Sequence, residues 1–166
     1  MELPEATKVR LKTQHLIINE LMDKLTDEQC NLELLQGKWT VHQQLAHLVR
    51  YQQVFYERIQ IIISSFNIVI SPYDANEDEK FPEVLKMSVT ELRKELVTMR
   101  QTINDFYFNL NSGELVRKGR HTNLGNFSIA LWAEFFLLHE AHHIFSIFTM
   151  TNQLVNREDT NAEMGF

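Results

Sequence analysis

Residues 128–150 read SIALWAEFFLLHEAHHIFSIFTM, a segment that is apolar on almost every side and contains no glycine or proline. A run of this length is too long for a typical strand and predicts one long helix. A helix that is apolar all round is usually buried against other parts of the protein. We therefore expect this helix to begin at a cap on Asn126 or Ser128 and to pack within a helical domain.

Three further segments carry apolar residues at helical spacing, and two of them begin with a capping box. In that motif a serine or threonine pairs with the residue three positions later, as Thr40 does with Gln43 and Ser88 with Glu91. The predicted helices cover about residues 4–25, 39–66, 88–113 and 128–150. With no internal repeat and no domain boundary, they predict an all-α fold, a four-helix bundle, as a single domain over residues 1–166.

The segments between these helices are predicted to be irregular. Residues 68–87 carry Pro72, Pro82 and an acidic run, which indicates a long, exposed connection between the second and third helices. Residues 114–126 are predicted as a polar, basic loop that ends before the last helix. The polar tail that begins at Asn152 is expected to fray. No segment is a convincing strand.

Composition narrows the class of protein further. The chain has three prolines, five glycines and one cysteine, which are too few breakers for a β-sandwich or barrel. Its net charge of −6 comes with no basic stripe, so we expect no nucleic-acid partner. The chain start lacks the apolar core of a secretory signal, and no run reaches the ~20 apolar residues that cross a bilayer. With Cys30 as its single cysteine, we expect a cytoplasmic protein that does not contact a membrane.

Histidine placement is the main functional signal in the sequence. His139 and His143 are four residues apart on the last predicted helix, so their side chains point within roughly 40° of each other. That spacing allows two imidazoles to bind one metal ion, on an apolar face where unligated rings would find few hydrogen-bond partners. His47 on the second helix is a candidate for the third ligand. His142 points away by roughly 60–100° and is expected at the rim.

Two other interpretations of these histidines stay open. A single histidine on a helix is more often a satisfied core or surface side chain than a metal ligand. Residues 139–143 also match the H-E-x-x-H pattern of zinc metalloproteases, in which the glutamate, here Glu140, is the general base. The longer metzincin pattern fails at Ser146 and Thr149, and no strand is predicted to hold a peptide substrate. Glu140 is more simply a solvent-facing or rim residue.

Short motifs in a characteristic order resemble the DinB/YfiT-like family. They are Gly37-Lys38-Trp39-Thr40, then His47-Leu48, and finally His139 with His142-His143. The passage GRHTNLGNFS at residues 119–128 also looks like the run that precedes the last helix of the family. The resemblance covers roughly residues 8–153, which we take as the core of the domain. It implies a four-helix bundle of up-down-down-up type that binds one divalent metal ion through His47, His139 and His143.

The resemblance also implies a choice of functions. Family members are usually described as metal-dependent hydrolases, and some branches are thiol transferases or isomerases that use a low-molecular-weight thiol. Many of them associate as dimers. This chain has Phe145 and Ser146 where many members have Gly-Gln, which leaves the substrate undefined. We expect a hydrolase or a small-molecule thiol transferase; the alternatives are a non-enzymatic metal-binding or stress-related bundle and an HExxH-type metalloprotease.

Three imidazoles with an open fourth position are typical of a catalytic metal site. Zn²⁺ or Ni²⁺ is the expected ion, and with one cysteine in the chain no thiolate cluster is available to hold it. Such an ion would activate either a water molecule or a bound thiolate, and the sequence does not distinguish these nucleophiles. Further candidates for a catalytic role are Tyr51, Glu140 and His121. His121 and its neighbour Arg120 lie where they could reach an anionic small-molecule substrate.

The outer face of the last helix predicts a contact between subunits. Leu137, Ala141, Ile144 and Phe148 lie opposite the histidine pair, and an exposed apolar stripe of this kind is a liability for a monomer. Either a loop covers this stripe or it is a subunit interface, and we expect a homodimer that packs partly through this helix.

Overall fold

The computed structural model describes residues 2–163, with side chains described as far as Asn156. Its four long helical elements form the predicted four-helix bundle. The first consists of α1 (Glu5–Thr13), a 3-10 turn (Gln14–Leu16) and α2 (Ile17–Met22), and the others are α4 (Val41–Ser64), α6 (Val89–Asn109) and α8 (Ile129–Glu163). One-turn helices lie between them: α3 (Asp27–Cys30), α5 (Phe81–Val84) and α7 (Ser112–Leu115). Because α4 packs against both α6 and α8, it is the central helix.

Local sequence sets the starts of the long helices. The hydroxyl groups of Thr40 and Ser88 accept hydrogen bonds from the backbone N–H groups of Gln43 and Glu91, so both predicted capping boxes are confirmed. Ser128 caps α8 by accepting from the backbone N–H of Leu131 at 3.2 Å. Each cap satisfies a backbone donor that has no partner within its own helix.

Three predicted helix limits are wrong. α6 ends at Asn109 rather than at Gly113, because the side chain of Asn111 accepts from the backbone N–H of Gly113 and starts α7 there. The last helix does not end near Met150, since α8 continues to Glu163, and residues 164–166 of the predicted tail lie outside the described residues. The first predicted helix is interrupted by the 3-10 turn at Gln14–Leu16.

A small sheet corrects the expectation that the chain has no strand. β1 (Val69–Ile70) pairs in parallel with β2 (Lys118–His121), and β2 pairs antiparallel with β3 (Gly125–Ser128). β2 and the first half of β3 lie in the stretch that was predicted as a loop. Gly119 allows β2 to approach α4, since a Cβ at this position would lie 2.5 Å from Cδ1 of Ile62. The strand places His121 inward and Arg120 outward.

The connection between α4 and α6 is partly buried and not fully exposed as predicted. Phe81 enters the core, and Asp78 forms an ion pair with Arg50 of α4 at 2.6 Å. The hydroxyl of Tyr73 donates to the same carboxylate at 3.0 Å. These contacts hold the connection against α4, so the rings of Tyr73 and Phe81 lie beside His47.

The core consists of two apolar clusters with a polar layer between them. Phe55, Tyr107 and Trp132 belong to the first cluster, and Leu45, Leu92 and Ile147 belong to the second. Along the first helical element, α6 and α8, the position where one cluster gives way to the other carries polar side chains, and on α4 His47 lies about one turn before this change. We call this set the polar layer; its members are His15, His47, Arg100, His139, Glu140 and His143.

Membrane insertion would require a long, uninterrupted apolar helix. Over the residues that the structure describes, no helix is both long enough and apolar enough to cross a membrane.

Candidate metal centre

Three histidine side chains converge in the polar layer. His47 comes from α4, and His139 and His143 come from successive turns of α8. Nε2 of His139 lies 3.3 Å from Nε2 of His47 and 3.3 Å from Nε2 of His143. One ring nitrogen of each residue lies within 4.8 Å of the other two, which is close enough for all three to share one ion.

All three imidazoles are neutral at physiological pH, which is the form in which histidine binds a metal ion. Burial, aided by neighbouring histidines, lowers the pKa of His47 to about 3 and that of His139 to about 2. Burial and then the nearby His142 lower the pKa of His143 to about 4. The cluster therefore needs no deprotonation at neutral pH before it binds a cation.

The hydrogen-bonding pattern fits a cation between the rings. Nδ1 of His143 lies 2.7 Å from Oε1 of Gln44, and because that oxygen only accepts, Nδ1 carries the proton. The lone pair of His143 therefore lies on Nε2, which faces Nε2 of His139. Nε2 of His139 also faces Nε2 of His47. A proton in either of these two N···N contacts makes that contact a hydrogen bond, but the other contact then remains without one. A divalent ion bound to all three lone pairs would relieve both, so this donor set fits a metal.

Aromatic packing, rather than hydrogen bonding, orients the other two rings. The Nδ1 atoms of His47 and His139 are buried and have no hydrogen-bond partner among the described residues. The centroid of the Tyr51 ring lies 3.8 Å from that of His139, and the Trp39 ring lies 5.0 Å from that of His47. Metal-binding histidines usually donate their second N–H to an acceptor, and the hydrogen bond of His143 is of this kind.

A cavity of about 150 Å³ opens beside His139. It brings that histidine together with Tyr51 and His121, two residues predicted to lie at the site. Arg120, which was expected to accompany His121, is exposed on the outer side of β2 and does not line the cavity. The lining residues are Tyr51, Arg58, Pro72, Tyr73, His121, Phe135 and His139.

Three residues of this region were not predicted as site residues. Arg58 follows His47 by eleven positions, which is about 20° round an ideal helix, so helical spacing could have placed it on the same face. Tyr73 and Phe81 come from the connection between α4 and α6. Their only signal in the sequence is that they are aromatic residues within a polar, proline-containing segment.

A more open groove of about 410 Å³ adjoins the cluster on the side of His143. Gln44 lines this groove and also binds His143, so it connects the groove with the three histidines. Trp39 and Lys38, from the motif before α4, form part of one wall, and Ser146 of α8 forms part of the other.

Glu140 is fully buried, so the expectation of a solvent-facing residue is wrong. One carboxylate oxygen pairs with the guanidinium of Arg100, and the other accepts from Nε2 of Gln14 at 2.8 Å. Both oxygens are thus engaged by the first helical element and α6, which removes the geometric basis for Glu140 as a general base of an H-E-x-x-H site. The prediction failed because Arg100 lies on another helix, 40 residues away in the chain.

The apolar stripe predicted on the outer face of α8 is covered in part. Leu137 is fully buried, and Glu134 pairs with Arg10 of α1 at 2.9 Å, so the first helical element packs on this end of the face. Phe148, at the other end of the stripe, is 46% exposed. Exposed apolar residues lie at seven-residue spacing on a different face of α8; they are Leu131, Leu138 and Phe145.

The fold and the site together define a helical-bundle protein with a candidate divalent-metal centre made of three histidines. The model of the DinB superfamily matches residues 11–146, and the chain belongs to this superfamily. The resemblance carried by the short sequence motifs is thereby confirmed.

Two known proteins add detail to this assignment. A protein of Oceanobacillus iheyensis named "Putative metal-dependent hydrolase" is 28% identical over 138 residues, which are 80% of this chain and 76% of that protein. The fold is similar to that of YfiT from Bacillus subtilis, described as a probable metal-dependent hydrolase with an unusual four-helix bundle topology. This match has a TM-score of 0.73 at 17% identity and covers 93% of this chain and 87% of YfiT. At that identity the similarity to YfiT defines the fold.

Proposed function

We propose that this protein is a metal-dependent hydrolase that acts on a small-molecule substrate, with one divalent ion held by His47, His139 and His143. The observation that carries the proposal is the convergence of three neutral imidazoles, one of which, His139, lines a cavity. Hydrolysis is favoured as the reaction by the similarity to the Oceanobacillus iheyensis protein, whose name gives it that activity.

Residues around the cluster have separable roles in this proposal. Gln44 fixes the tautomer and the orientation of His143 through the 2.7 Å hydrogen bond. Trp39 and Tyr73 pack against His47 and limit the access of water. Burial raises the pKa of Tyr51 to about 12, so its hydroxyl stays protonated and can donate to a substrate oxygen in the cavity. When bound, Zn²⁺ or Ni²⁺ would supply Lewis acidity to polarise a carbonyl group or activate a nucleophile near neutral pH.

A small-molecule thiol transferase is the second candidate, and the two cavities favour it. A transfer between two substrates needs room for both: the cavity is lined by His139, and the groove is lined by Gln44, which binds His143. Cys30 is buried in α3, so the protein has no accessible thiol of its own at this site. The nucleophile would therefore come from a low-molecular-weight thiol.

Metal content is the first test of the proposed site. Protein purified without an affinity tag or chelator should hold about one equivalent of Zn²⁺ or Ni²⁺ per chain by elemental analysis. The variant His143→Ala should lose the ion, while His142→Ala should keep it because this adjacent side chain is exposed. Less than about a tenth of an equivalent, with no uptake of either metal, would contradict the proposal.

Turnover then separates an enzyme from a non-enzymatic metal-binding or stress-related bundle. Metal-loaded protein is tested on a panel of esters and amides, and on electrophiles supplied with a small thiol. Turnover that disappears in His143→Ala and persists in His142→Ala supports catalysis at this site. A fully loaded, folded protein with no turnover on either panel would favour the non-enzymatic alternative.

We also propose a homodimer that forms through the exposed face of α8. Leu138 and Phe145 on this face are 62% and 64% exposed. With Leu131 they form an uncharged stripe along the helix, at the seven-residue spacing with which helices pair. Such a stripe is self-complementary, because two copies related by a two-fold axis present the same apolar surface to each other.

A further inference from the structure

Arg58 presents its guanidinium group at the wall of the cavity beside His139. Its Nη2 donates to the backbone oxygen of Ser71 at 2.9 Å, which belongs to the connection between α4 and α6. Tyr51, two turns earlier on α4, lines the same cavity and interacts electrostatically with the guanidinium. The hydrogen bond to Ser71 thus holds the group at the cavity wall.

The charge of Arg58 has no carboxylate partner in the part of the chain with described side chains. Asp78 of the adjoining connection is already engaged by Arg50 and Tyr73. Burial lowers the pKa of Arg58, because a partly buried cation without a counter-ion is poorly solvated. Other arginines do form such pairs: Arg10 with Glu134, Arg50 with Asp78, Arg93 with Asp23 and Arg100 with Glu140.

His121 adds a second donor to the same cavity. The backbone N–H of Asn123 donates to Nδ1 of His121 at 3.2 Å, so Nδ1 carries the lone pair. In the neutral ring the proton then lies on Nε2, which makes this nitrogen a hydrogen-bond donor. Burial and the charge of Arg58 lower the pKa of His121, which favours this neutral form.

The lining of the cavity is therefore rich in donors and poor in acceptors. No aspartate or glutamate occurs among its lining residues, as far as side chains are described. The hydroxyl of Tyr73 donates outward to Asp78 and so does not compensate Arg58. Phe135 and the ring of Tyr51 supply apolar surface next to these donors. A lining of this kind fits an anionic group attached to a short carbon chain.

We propose that the cavity binds a carboxylate group of the substrate, which is held by Arg58 and His121. This inference rests on the proposed function and names its substrate class, a small carboxylate-bearing compound. A carboxylate fits because the planar fork of a guanidinium matches its two oxygens, and a single cation matches its single charge. His139 forms a wall of the same cavity, so the atoms that follow the carboxylate in the substrate would lie beside the candidate metal centre.

Equilibrium binding of simple probes tests the proposal on the full chain. Calorimetric titration with propionate should show binding, while propionamide, which has the same shape without the charge, should bind at least about tenfold more weakly. Inorganic phosphate serves as the second anion and should bind more weakly than propionate. Equal binding of propionate and propionamide, or tighter binding of phosphate, would overturn the carboxylate assignment.

Variants locate the binding within the cavity. Arg58→Met keeps the apolar stem and should weaken propionate by about tenfold or more, while Arg58→Lys, which keeps the charge but not the fork, should have an intermediate effect. His121→Phe should weaken binding by a smaller factor. Arg120→Met is the matched control, because this exposed arginine next to His121 lies outside the cavity and should leave binding unchanged. Unchanged binding in folded Arg58→Met and Arg58→Lys would overturn the proposal.

Titrations of a metal-site variant test the anion site independently of the metal proposal. The same titrations are carried out on His143→Ala, in which the candidate metal centre lacks one ligand. Propionate binding that still depends on Arg58 in this background supports the anion site even if the wild-type protein holds no metal. Propionate binding that disappears in His143→Ala, and that is insensitive to Arg58 in the wild type, would assign the anion to the metal and overturn the role of Arg58.

Discussion

Arg100 and Glu140 form an ion pair inside the bundle, in which each side chain is only 1% exposed. Nε of Arg100 also donates to Oε1 of Gln52 at 3.0 Å, and Nη1 donates to the backbone oxygen of Leu11 at 3.3 Å. The pair therefore connects α6 and α8 with α4 and the first helical element. Because it lies in the polar layer next to His139, its effect on stability can be compared with its effect on the metal centre.

Removing one partner of this pair should destabilise the protein strongly. Arg100→Met leaves the Glu140 carboxylate buried without its counter-ion, and we expect a loss of about 3–5 kcal/mol in the free energy of unfolding. The double variant Arg100→Met with Glu140→Leu should be more stable than Arg100→Met alone, because no unpaired charge remains. Urea denaturation followed by circular dichroism measures both. Additive losses in the double variant would show that the two side chains are not coupled.

Gln44 should control how tightly the protein binds its metal without being a ligand. Gln44→Ala removes the acceptor of the His143 Nδ1–H group, and we expect metal affinity to fall by about ten- to a hundredfold. Competition with a chromophoric chelator measures this affinity. Gln60→Ala is the control, since Gln60 is an exposed residue of the same helix. Equal affinity in the two variants would contradict an orienting role for Gln44.

His15 should make the protein less stable in mild acid. Burial, followed by the charge of Arg100, lowers its pKa from 6.5 to about 4 in the folded state. His15 therefore binds a proton below about pH 6.5 in the unfolded chain but only below about pH 4 in the folded chain. As the pH is lowered through this window, the free energy of unfolding decreases. The loss attributable to His15 between pH 7 and pH 5 should be about 2 kcal/mol.

A variant isolates this contribution from those of the other buried histidines. His15→Gln keeps a hydrogen-bond acceptor for Arg100 but does not titrate, so its stability should fall less between pH 7 and pH 5. Both proteins are denatured with urea in the presence of a chelator, so that metal release does not enter the comparison. Parallel pH profiles for the two proteins would argue against the buried, neutral state of His15.

The thiol of Cys30 should react slowly with thiol reagents in the folded protein. It is buried, and burial together with Asp27 raises the pKa of its thiol to about 11, so little thiolate forms at neutral pH. A colorimetric disulfide reagent should therefore react slowly with the native chain and rapidly in denaturant, where one thiol per chain becomes available. Fast reaction of the native protein would show that α3 opens readily.

The proposed homodimer should depend on the exposed stripe of α8. Phe145→Glu places a charge on this face, and light scattering at micromolar concentration should then give the mass of a monomer. Leu124→Glu is the control, because Leu124 is comparably exposed but lies in the turn between β2 and β3. A wild-type protein that is already monomeric would contradict the proposal.

Sequence patterns predicted best what depends on neighbours in the chain. The capping boxes at Thr40 and Ser88 involve residues three positions apart, and the pairing of His139 with His143 follows from one turn of helix. The common face of these histidines could be derived without knowing any other helix. Helical spacing would also have placed Arg58 on the same face of α4 as His47, three turns further along the helix.

Features that depend on distant residues were not predictable in this way. The burial of Glu140 requires Arg100 on another helix. The strand β2 requires β1, and the paired residues Val69 of β1 and Arg120 of β2 lie about fifty positions apart in the chain. The partial burial of the connection between α4 and α6 depends on Arg50 meeting Asp78. In each case an isolated polar segment looks exposed, and only its tertiary partner makes burial favourable.

The polar layer also limits how the helices can be aligned along the bundle axis. A slide of α8 by one helical turn, about 5.4 Å, would carry Glu140 away from Arg100 and bring a charge against apolar side chains. The same slide would bring one of His139 and His143 to about the place of the other and carry the second away from His47, so the three histidines would no longer converge. The alignment of α8 that pairs Glu140 with Arg100 is therefore also the alignment that brings the three histidines together. Cavity residues outside the polar layer, such as Arg58 and His121, are not part of that alignment, which leaves substrate preference free to vary on a fixed helical frame.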